Sequence, residues 1–338
     1  MSITIKDLAR IANVSHTTVS RALNDSPLIS EETKLRIKAL AEQYNYIPNI
    51  NAKSLVTDRS FQVGIFFSTL DQGTSPSFFY EAVRGVHRIL GSSYNLVVKG
   101  LDELGEVRRT VNRKLFDGIL LMSQSATDDE FIDYALEQDI PIIVLNRKVE
   151  DRAIGNIVSA DRQGAQLAVD YLIHNGHSHI AIIRGRAGFQ SARARTEGYM
   201  DALRASGMEP HPDYMPEGHY DVESGYRCMK QLLHHKNPPT AVFCSNDDMA
   251  VGAMKAIHDK GLKVPDDISV IGFDDSEFTA YLSPSLTTVK RPIEKISRRG
   301  AEMLLQGMNE RVQSETTEYV PTKLIIRDSV STKKQPNS

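Results

Sequence analysis

The sequence predicts an α/β protein with an all-helical head: three short helices, then a larger body of two parallel-sheet α/β subdomains. Three observations predict it. The first 45 residues hold three successive segments with helical apolar spacing, and none with the alternation of a strand. From residue 61 onward, apolar runs alternate with longer amphipathic stretches, the pattern of parallel sheets covered by helices on both faces. Those runs fall into two groups, before and after about residue 160, which divides the body in two.

In the head, Thr4 with Asp7 three residues later forms a capping box, and Leu8, Ala9 and Ala12 then share one helical face. Ala12-Asn13-Val14-Ser15 breaks the pattern, and Ser15 is a good N-cap for a second helix whose buried stripe is Val19, Ala22 and Leu23. Its opposite face carries Ser15, His16, Thr17, Ser20 and Arg21, all short or hydrogen-bonding. After Asn24-Asp25-Ser26-Pro27, Ser30 caps a third helix whose apolar face is Ile37, Leu40, Ala41 and Tyr44. Two short helices around a tight turn with a third behind them form a helix-turn-helix. The second helix suits the major groove, since its exposed face lets side chains reach base edges. His16, Thr17 and Arg21 are the candidates for base contacts. Thr4, Ser15, Ser20, Asn24 and Thr33 are candidates for phosphate contacts. A three-helix bundle used only for protein contacts is the alternative.

Composition agrees with a soluble two-part chain. Of 338 residues, 41% are hydrophobic and 25% charged, and no apolar run approaches the ~20 residues a bilayer span needs. The start MSITIKDLAR has no apolar signal core, and two cysteines, Cys228 and Cys244, are too few for a disulfide scaffold or structural zinc site. The expected compartment is the cytoplasm, with no membrane partner, no cofactor and no metal. Net charge is −3, which by itself announces no polyanion partner. Residues 1–60, however, carry eight basic and six acidic side chains and so sum to +2, leaving −5 for the rest.

In the body, the candidate strands are FQVGIFF, YNLVVKG, FDGILLM, IPIIVLN, HIAIIRG, TAVFCSN and ISVIGFDD. FFYEAVRGVHRIL, AQLAVDYLIHNG and DMAVGAMKAIHDKG read as helices between them. Ligands of such folds bind beyond the carboxyl ends of strands, here the cleft between subdomains. Polar residues cluster at those ends: Asn146-Arg147, Asp161, Arg193 and Arg195, Asn246-Asp247 and Asp274-Asp275. Asp, Asn and Arg in fixed geometry recognise sugar hydroxyls, which both donate and accept. Asp161, Asp247 and Asp275 could equally cap the helices that follow.

The run TIKDLARIANVSHTTVSRALNDSPLISEETKLRIKALAEQYNYIPNINAKSLV closely resembles the head and hinge of the lactose/galactose-repressor (LacI/GalR) family, with its V-S-x-x-T-V-S-R recognition helix and Y-x-P-N hinge. SARARTEGYMDAL, SNDDMAVGAMKAI, VPDDISVIGFDD and SPSLTTVKRP resemble family blocks in family order. The resemblance implies a sequence-specific regulator of carbohydrate-utilisation genes with a periplasmic-binding-protein-like body. It implies a hinge helix that forms on double-stranded, pseudo-palindromic operator DNA, with Leu55 as a minor-groove wedge. Ala52 and Lys53 would lie beside it, Lys53 standing where the family usually has Arg, and Tyr46 and Asn49 would meet phosphates. It implies effector contacts at Arg195, Asn246 and Asp274. Ser68, Phe78, Asn146, Asp161, Arg193 and Arg291 complete the candidate set. Asn146 and Arg291 take positions that often hold Asp and Gln, and Arg291 could favour an anionic or phosphorylated ligand or merely face solvent.

The implied organisation is a head and hinge over residues 1–60, a first subdomain over 61–160 and 290–319, a second over 161–289 and 320–330, and a flexible tail over 331–338. The polar end SVSTKKQPNS carries no leucine heptad, so a homodimer is expected. A hexose or galactoside-like sugar is the expected effector; a phosphosugar, nucleobase or protein co-effector is the alternative. An enzyme is not expected, because GxSxG, GxxxxGK[ST] and HExxH are absent. His174, His177 and His179 lack a matching carboxylate or cysteine nearby.

Overall fold

A computed structural model describes residues 3–23, 25–46, 59–70, 73–103, 110–310 and 314–333. The chain divides into two compact units, Met1–Phe61 and Gln62–Ser338.

In the head, α1 (Ile5–Ile11), α2 (His16–Leu23) and α3 (Glu31–Gln43) surround Leu8, Val19 and Ile37, all fully buried. The capping box is formed: Thr4 Oγ1 accepts the Asp7 N–H, and the Asp7 carboxylate takes the Thr4 N–H. Ser15 Oγ accepts the Thr18 N–H at 3.0 Å and starts α2. Tyr44, expected on the apolar face of α3, is instead 43% exposed, while Lys34 is buried beside Glu31. The aliphatic stem of a lysine can cover a small core while its ammonium reaches an exposed carboxylate.

The body holds two sheets. The first has strand order β10-β5-β4-β3-β1-β2, built from β1 (Gln62–Phe67), β2 (Asn95–Gly100), β3 (Gly118–Met122), β4 (Ile142–Leu145), β5 (Gly155–Ser159) and β10 (Thr317–Val320), all paired parallel. The second has order β11-β9-β8-β7-β6, from β6 (Ile180–Ile183), β7 (Ala241–Cys244), β8 (Ser269–Asp274), β9 (Thr287–Lys290) and β11 (Lys323–Ile325), with only β11 antiparallel to its neighbour. The chain therefore passes between sheets three times: after β5, after β9 and between β10 and β11.

Both faces of each sheet are covered, which is why the strands read as unbroken apolar runs. Val63 and Ile65 of β1 pack with α4 (Pro76–Leu90) and α10 (Ile293–Glu310), while Phe66 faces α5 (Asp129–Glu137). In the second sheet, Ile182 and Phe243 face α6 (Asp161–His174) and α7 (Gln190–Ala205). Ile183 and Cys244 face α8 (Val222–Leu233) and α9 (Asp247–Asp259).

The α8–α9 pair is set by two glycines. A Cβ on Gly252 would sit 2.0 Å from the Val222 carbonyl oxygen, and one on Gly225 would sit 2.2 Å from that of Met249. Because both obstacles are backbone, Gly252→Ala is expected to push the helices apart and destabilise the body by about 3 kcal/mol. A thermal melt checks it, and an unchanged midpoint would show that this pair can slide freely.

Residues 331–338 were expected to form a flexible tail, but the described part is attached. The Ser331 hydroxyl donates to the Pro265 carbonyl at 2.9 Å and the Lys333 N–H to that of Asn175 at 2.8 Å. Backbone groups beside a sheet find partners there, so polar composition alone misjudged these residues. Residues 334–338 lie outside the described residues.

Candidate functional site

The first candidate surface is on the head. His16, Thr17 and Arg21 are exposed along α2, with Ser20 half-buried beside them and Val19 and Ala22 turned into the core. Residues one, four and five apart share a helical face, so these four side chains form one ridge. Three of the expected phosphate contacts are otherwise engaged. The Thr4 hydroxyl donates to Asp7 at 2.6 Å, the Ser15 and Thr18 hydroxyls meet at 2.8 Å, and those of Ser30 and Thr33 at 2.9 Å. All three serve helix starts. Tyr46 is half-buried against the head core, and burial pushes its phenol up. Asn24, Asn49, Ala52, Lys53 and Leu55 lie outside the described residues.

The second candidate lies between the two sheets of the body, where strand ends converge. Arg195, one turn into α7, is 1% exposed and is held from several sides. Its Nη2 and Nε donate to Asp161 Oδ2 at 2.8 and 3.1 Å, its Nη1 donates to the Ser245 carbonyl, and its guanidinium stacks 3.8 Å from the Phe273 ring centroid. Arg291, which follows β9, is 6% exposed and lies 5.3 Å from the Phe78 ring centroid. Asp274 Oδ1 stands 3.8 Å from both guanidiniums, a separation of charges rather than a hydrogen bond.

These groups line a small cavity of about 20 Å³ with Phe78, Gln124, Ser191, Tyr220 and Asn246. That volume holds one water, whereas a sugar-sized ligand needs about 300 Å³ or more, so ligand entry requires the walls to part. Several polar atoms there have no hydrogen-bond partner: Arg291 Nε and Nη2, Asp274 Oδ1 and Asn146 Oδ1. Three backbone positions are also unusual. Asn146 has φ 74°, Tyr220 φ 66° and Asp274 φ 124°, conformations in which a non-glycine residue is strained.

The electrostatics divide the two acids. Burial would raise the Asp161 carboxyl, but Arg195 and then Arg291 hold it below its ordinary value and so ionised. Burial raises Asp274 despite the same two arginines. Asp247 is pushed well up by burial, then by Asp274, while accepting from the Thr288 hydroxyl at 2.6 Å and the Ser276 N–H at 2.8 Å. It braces the site from behind.

Of the predicted effector residues, Phe78, Arg195, Asn246, Asp274 and Arg291 line this cavity. Asn246 also caps α9, its Oδ1 accepting the Met249 N–H, so the capping alternative holds at that neighbouring position. Asp161 does not cap α6; it serves Arg195. Asp275 binds Arg327 at 2.6 Å and Lys290 at 3.1 Å. Asp161 and Asn146 border a wider adjoining depression of about 1030 Å³.

Two assignments are corrected by position. Arg193 does not line the small cavity: about 200° around the helix from Arg195, its side chain is 82% exposed and paired with Glu197, on the wall of the wider depression that Asn146 and Asp161 border. Ser68 borders a third depression, and its hydroxyl is committed to Asp128 at 2.5 Å. His177, one of the histidines weighed for metal, has both ring nitrogens engaged, by Thr240 Oγ1 and the Ser331 carbonyl.

Gln124, Ser191 and Tyr220 were not anticipated. Gln124 follows β3 directly, so the strand-end rule that selected Asn146 and Asp274 would have found it. The same loop meets the start of α7: the Gln190 N–H donates to the Gln124 carbonyl at 2.8 Å, and Gln190 Oε1 accepts the Lys148 N–H at 2.9 Å. These bonds clasp the two subdomains across the cavity.

Comparison with known proteins meets this geometry. Residues 4–49 match the bacterial regulatory proteins of the lacI family, and residues 169–330 a periplasmic binding protein-like domain. The probable HTH-type transcriptional repressor ExuR of Bacillus subtilis (strain 168) is 52% identical over 328 residues, 97% of this chain and 98% of its own. The chain belongs to the lacI family. This lacI-family chain superposes on a lac repressor dimer bound to operator and the anti-inducer ONPF with TM-score 0.82, 28% identity and 98% and 100% of the two chains covered. It also matches a CelR–cellobiose complex at TM-score 0.75 and 26% identity, over 97% and 99%. The lacI-family chain is thus a ligand-controlled, DNA-binding transcriptional repressor and not an enzyme. Among the described residues no helix is long and apolar enough to cross a membrane.

Proposed function

We propose that the cleft takes a sugar-sized, polyhydroxylated anion, a sugar acid or sugar phosphate, and that its binding sets the operator affinity of a cytoplasmic homodimer. One observation carries the ligand class: Arg291 is buried with Nε and Nη2 unpartnered, in a cavity that already holds Arg195. Buried guanidinium N–H groups without an acceptor are costly, and an anionic oxygen that accepts from them removes that cost with a charge-assisted bond. Burial raises the Asp274 carboxyl, and Asp161 already takes two hydrogen bonds from Arg195, so neither acid gives Arg291 Nε or Nη2 a hydrogen bond. Asn246, Ser191 and Gln124 supply donors and acceptors for hydroxyls, and Phe78 and Tyr220 supply ring faces. The CelR structure holds cellobiose, which supports a saccharide-sized occupant. The lac repressor dimer on its operator supports two heads reading two half-sites.

Binding acts through differential affinity for the parted and clasped arrangements of the subdomains. The test is fluorescence anisotropy of the full chain on DNA upstream of its own gene cluster, at fixed salt, with neutral sugars, sugar acids and sugar phosphates. A change in affinity with one acidic sugar is the expected result. A response to a neutral sugar alone would keep the cleft but overturn the anion. No response to any would overturn both and favour a nucleobase or protein co-effector.

On the head, α2 reads bases through His16, Thr17 and Arg21. Arg21→Ala is expected to weaken operator binding by about 10- to 100-fold, the value of one good base contact, while leaving ligand affinity and melting unchanged. Unaltered operator affinity would remove Arg21 from base reading.

A further inference from the structure

We propose that His211, Asp213 and His235 bind one divalent transition-metal ion in the second subdomain, at a site separate from the effector cleft. Asp213 belongs to a short 3-10 turn, Pro212–Tyr214, between α7 and α8; His211 precedes that turn and His235 follows α8. Their ligand atoms all lie within 4.8 Å of one another. Asp213 Oδ2 is 3.9 Å from His211 Nδ1 and 3.6 Å from His235 Nε2. A tetrahedral ion with bonds of about 2.0–2.1 Å sets its ligands roughly 3.4 Å apart. Two edges are therefore within a few tenths of an ångström of that spacing. The remaining one closes by small torsions of side chains that are largely exposed: His211 at 55%, Asp213 at 66% and His235 at 26%.

The surroundings hold the two imidazoles in place. Tyr214 is buried beside both, with ring centroids 5.5 Å from His211 and 5.3 Å from His235, whose own rings are 5.8 Å apart, and its hydroxyl donates to the Asn237 carbonyl at 2.5 Å. The same carbonyl lies 2.8 Å from His235 Nδ1, and the Asn237 N–H lies 3.1 Å from it. With Nδ1 occupied by backbone, Nε2 is the nitrogen presented to the carboxylate, the arrangement by which backbone groups orient metal-binding histidines. His211 Nδ1 accepts only the exposed Asp213 N–H, at 3.2 Å, a bond that water replaces when the nitrogen ligates. Two imidazoles and one carboxylate suit Zn²⁺, Co²⁺, Ni²⁺ or Cu²⁺ and not the oxygen-seeking Mg²⁺ or Ca²⁺. Three protein ligands leave coordination positions open to water. Because the ligands flank both ends of α8, a bound ion ties together the two loops that frame that helix.

The experiment is titration of the chelator-stripped full chain with Co²⁺, followed by its visible absorption, and then with Zn²⁺, followed by thermal melting. One saturating equivalent of Co²⁺, displaced by Zn²⁺, and a Zn²⁺-dependent rise in melting temperature are expected. His235→Gln and His211→Ala should each weaken the ion by about tenfold or more. Asp213→Asn, a mild exposed change, should do the same without altering the fold. His258→Ala, which removes an 85% exposed histidine elsewhere, should change nothing. Metal affinity that survives both His235→Gln and Asp213→Asn, or no saturable Co²⁺ spectrum in the parent chain, overturns the site.

Discussion

Arg195→Ala is expected to lower the stability of the body by about 3–5 kcal/mol and to abolish the effector response. The guanidinium neutralises Asp161, which is 5% exposed, and lies near Asp274; it also fills the space against Phe273. Truncation leaves the buried Asp161 carboxylate without its hydrogen-bonded partner, with only Arg291 Nε 3.5 Å away, and opens a cavity beside an aromatic ring, two penalties that add. A side chain that only touched ligand would be replaceable, whereas this one braces both α6 and α7. The pH dependence follows from Asp161. Its carboxyl is held below the ordinary value, so it contributes stability above the unfolded carboxylate pKa, and that contribution is lost as pH falls through the folded one. In Arg195→Ala, with only Arg291 left beside Asp161, that acid-side loss should shrink. Chemical denaturation at neutral and acid pH measures it. A variant as stable as the parent at neutral pH would show that Asp161 needs no cation.

The second large effect is Arg291→Gln, with the opposite sign for stability. Arg291 makes no hydrogen bond through Nε or Nη2, and its nearest carboxylate oxygen, Asp161 Oδ1, is 3.5 Å away. Gln removes a buried cation whose carboxylate neighbours stand 3.5 and 3.8 Å away without a hydrogen bond, so the melting temperature should hold or rise. Affinity for an acidic sugar should fall by about 10- to 100-fold, the value of one charge-assisted hydrogen bond, while a neutral sugar should bind equally or better. Isothermal titration of the parent and variant with a matched acidic and neutral pair decides it. Equal losses for both sugars would mean that Arg291 shapes the cavity rather than reading charge.

Local chemistry made much of this molecule legible from its residues. The capping box of Thr4 and Asp7, the stripe of Val19 and Ala22, and the long apolar strands each depend on neighbours within a few positions, and they form as read. Four strands escaped, Gly155–Ser159, Thr287–Lys290, Thr317–Val320 and Lys323–Ile325: they are about as short as Ile142–Leu145 or Ala241–Cys244, but their polar and charged residues break the apolar run by which those were read. The cleft was legible in part, because strand ends mark where ligands bind, and this selected Asn146 and Asp274 before any coordinates.

Sequence by itself thus determined the two-part architecture, the exposed polar face of α2 and the cast of polar residues at the cleft. Only tertiary structure chose among that cast. Arg193 and Arg195 are the same residue type two positions apart, yet about 200° of helical rotation sends one to solvent and the other to Asp161. Thr4 and Thr33, plausible phosphate contacts on composition, spend their hydroxyls on helix starts. Arg291 became informative only when it proved buried and unpaired, 130 residues along the chain from Asp161. A side chain's role depends on which partners the fold brings within a few ångströms, and for buried charges those partners come from distant strands and helices rather than from neighbours in sequence.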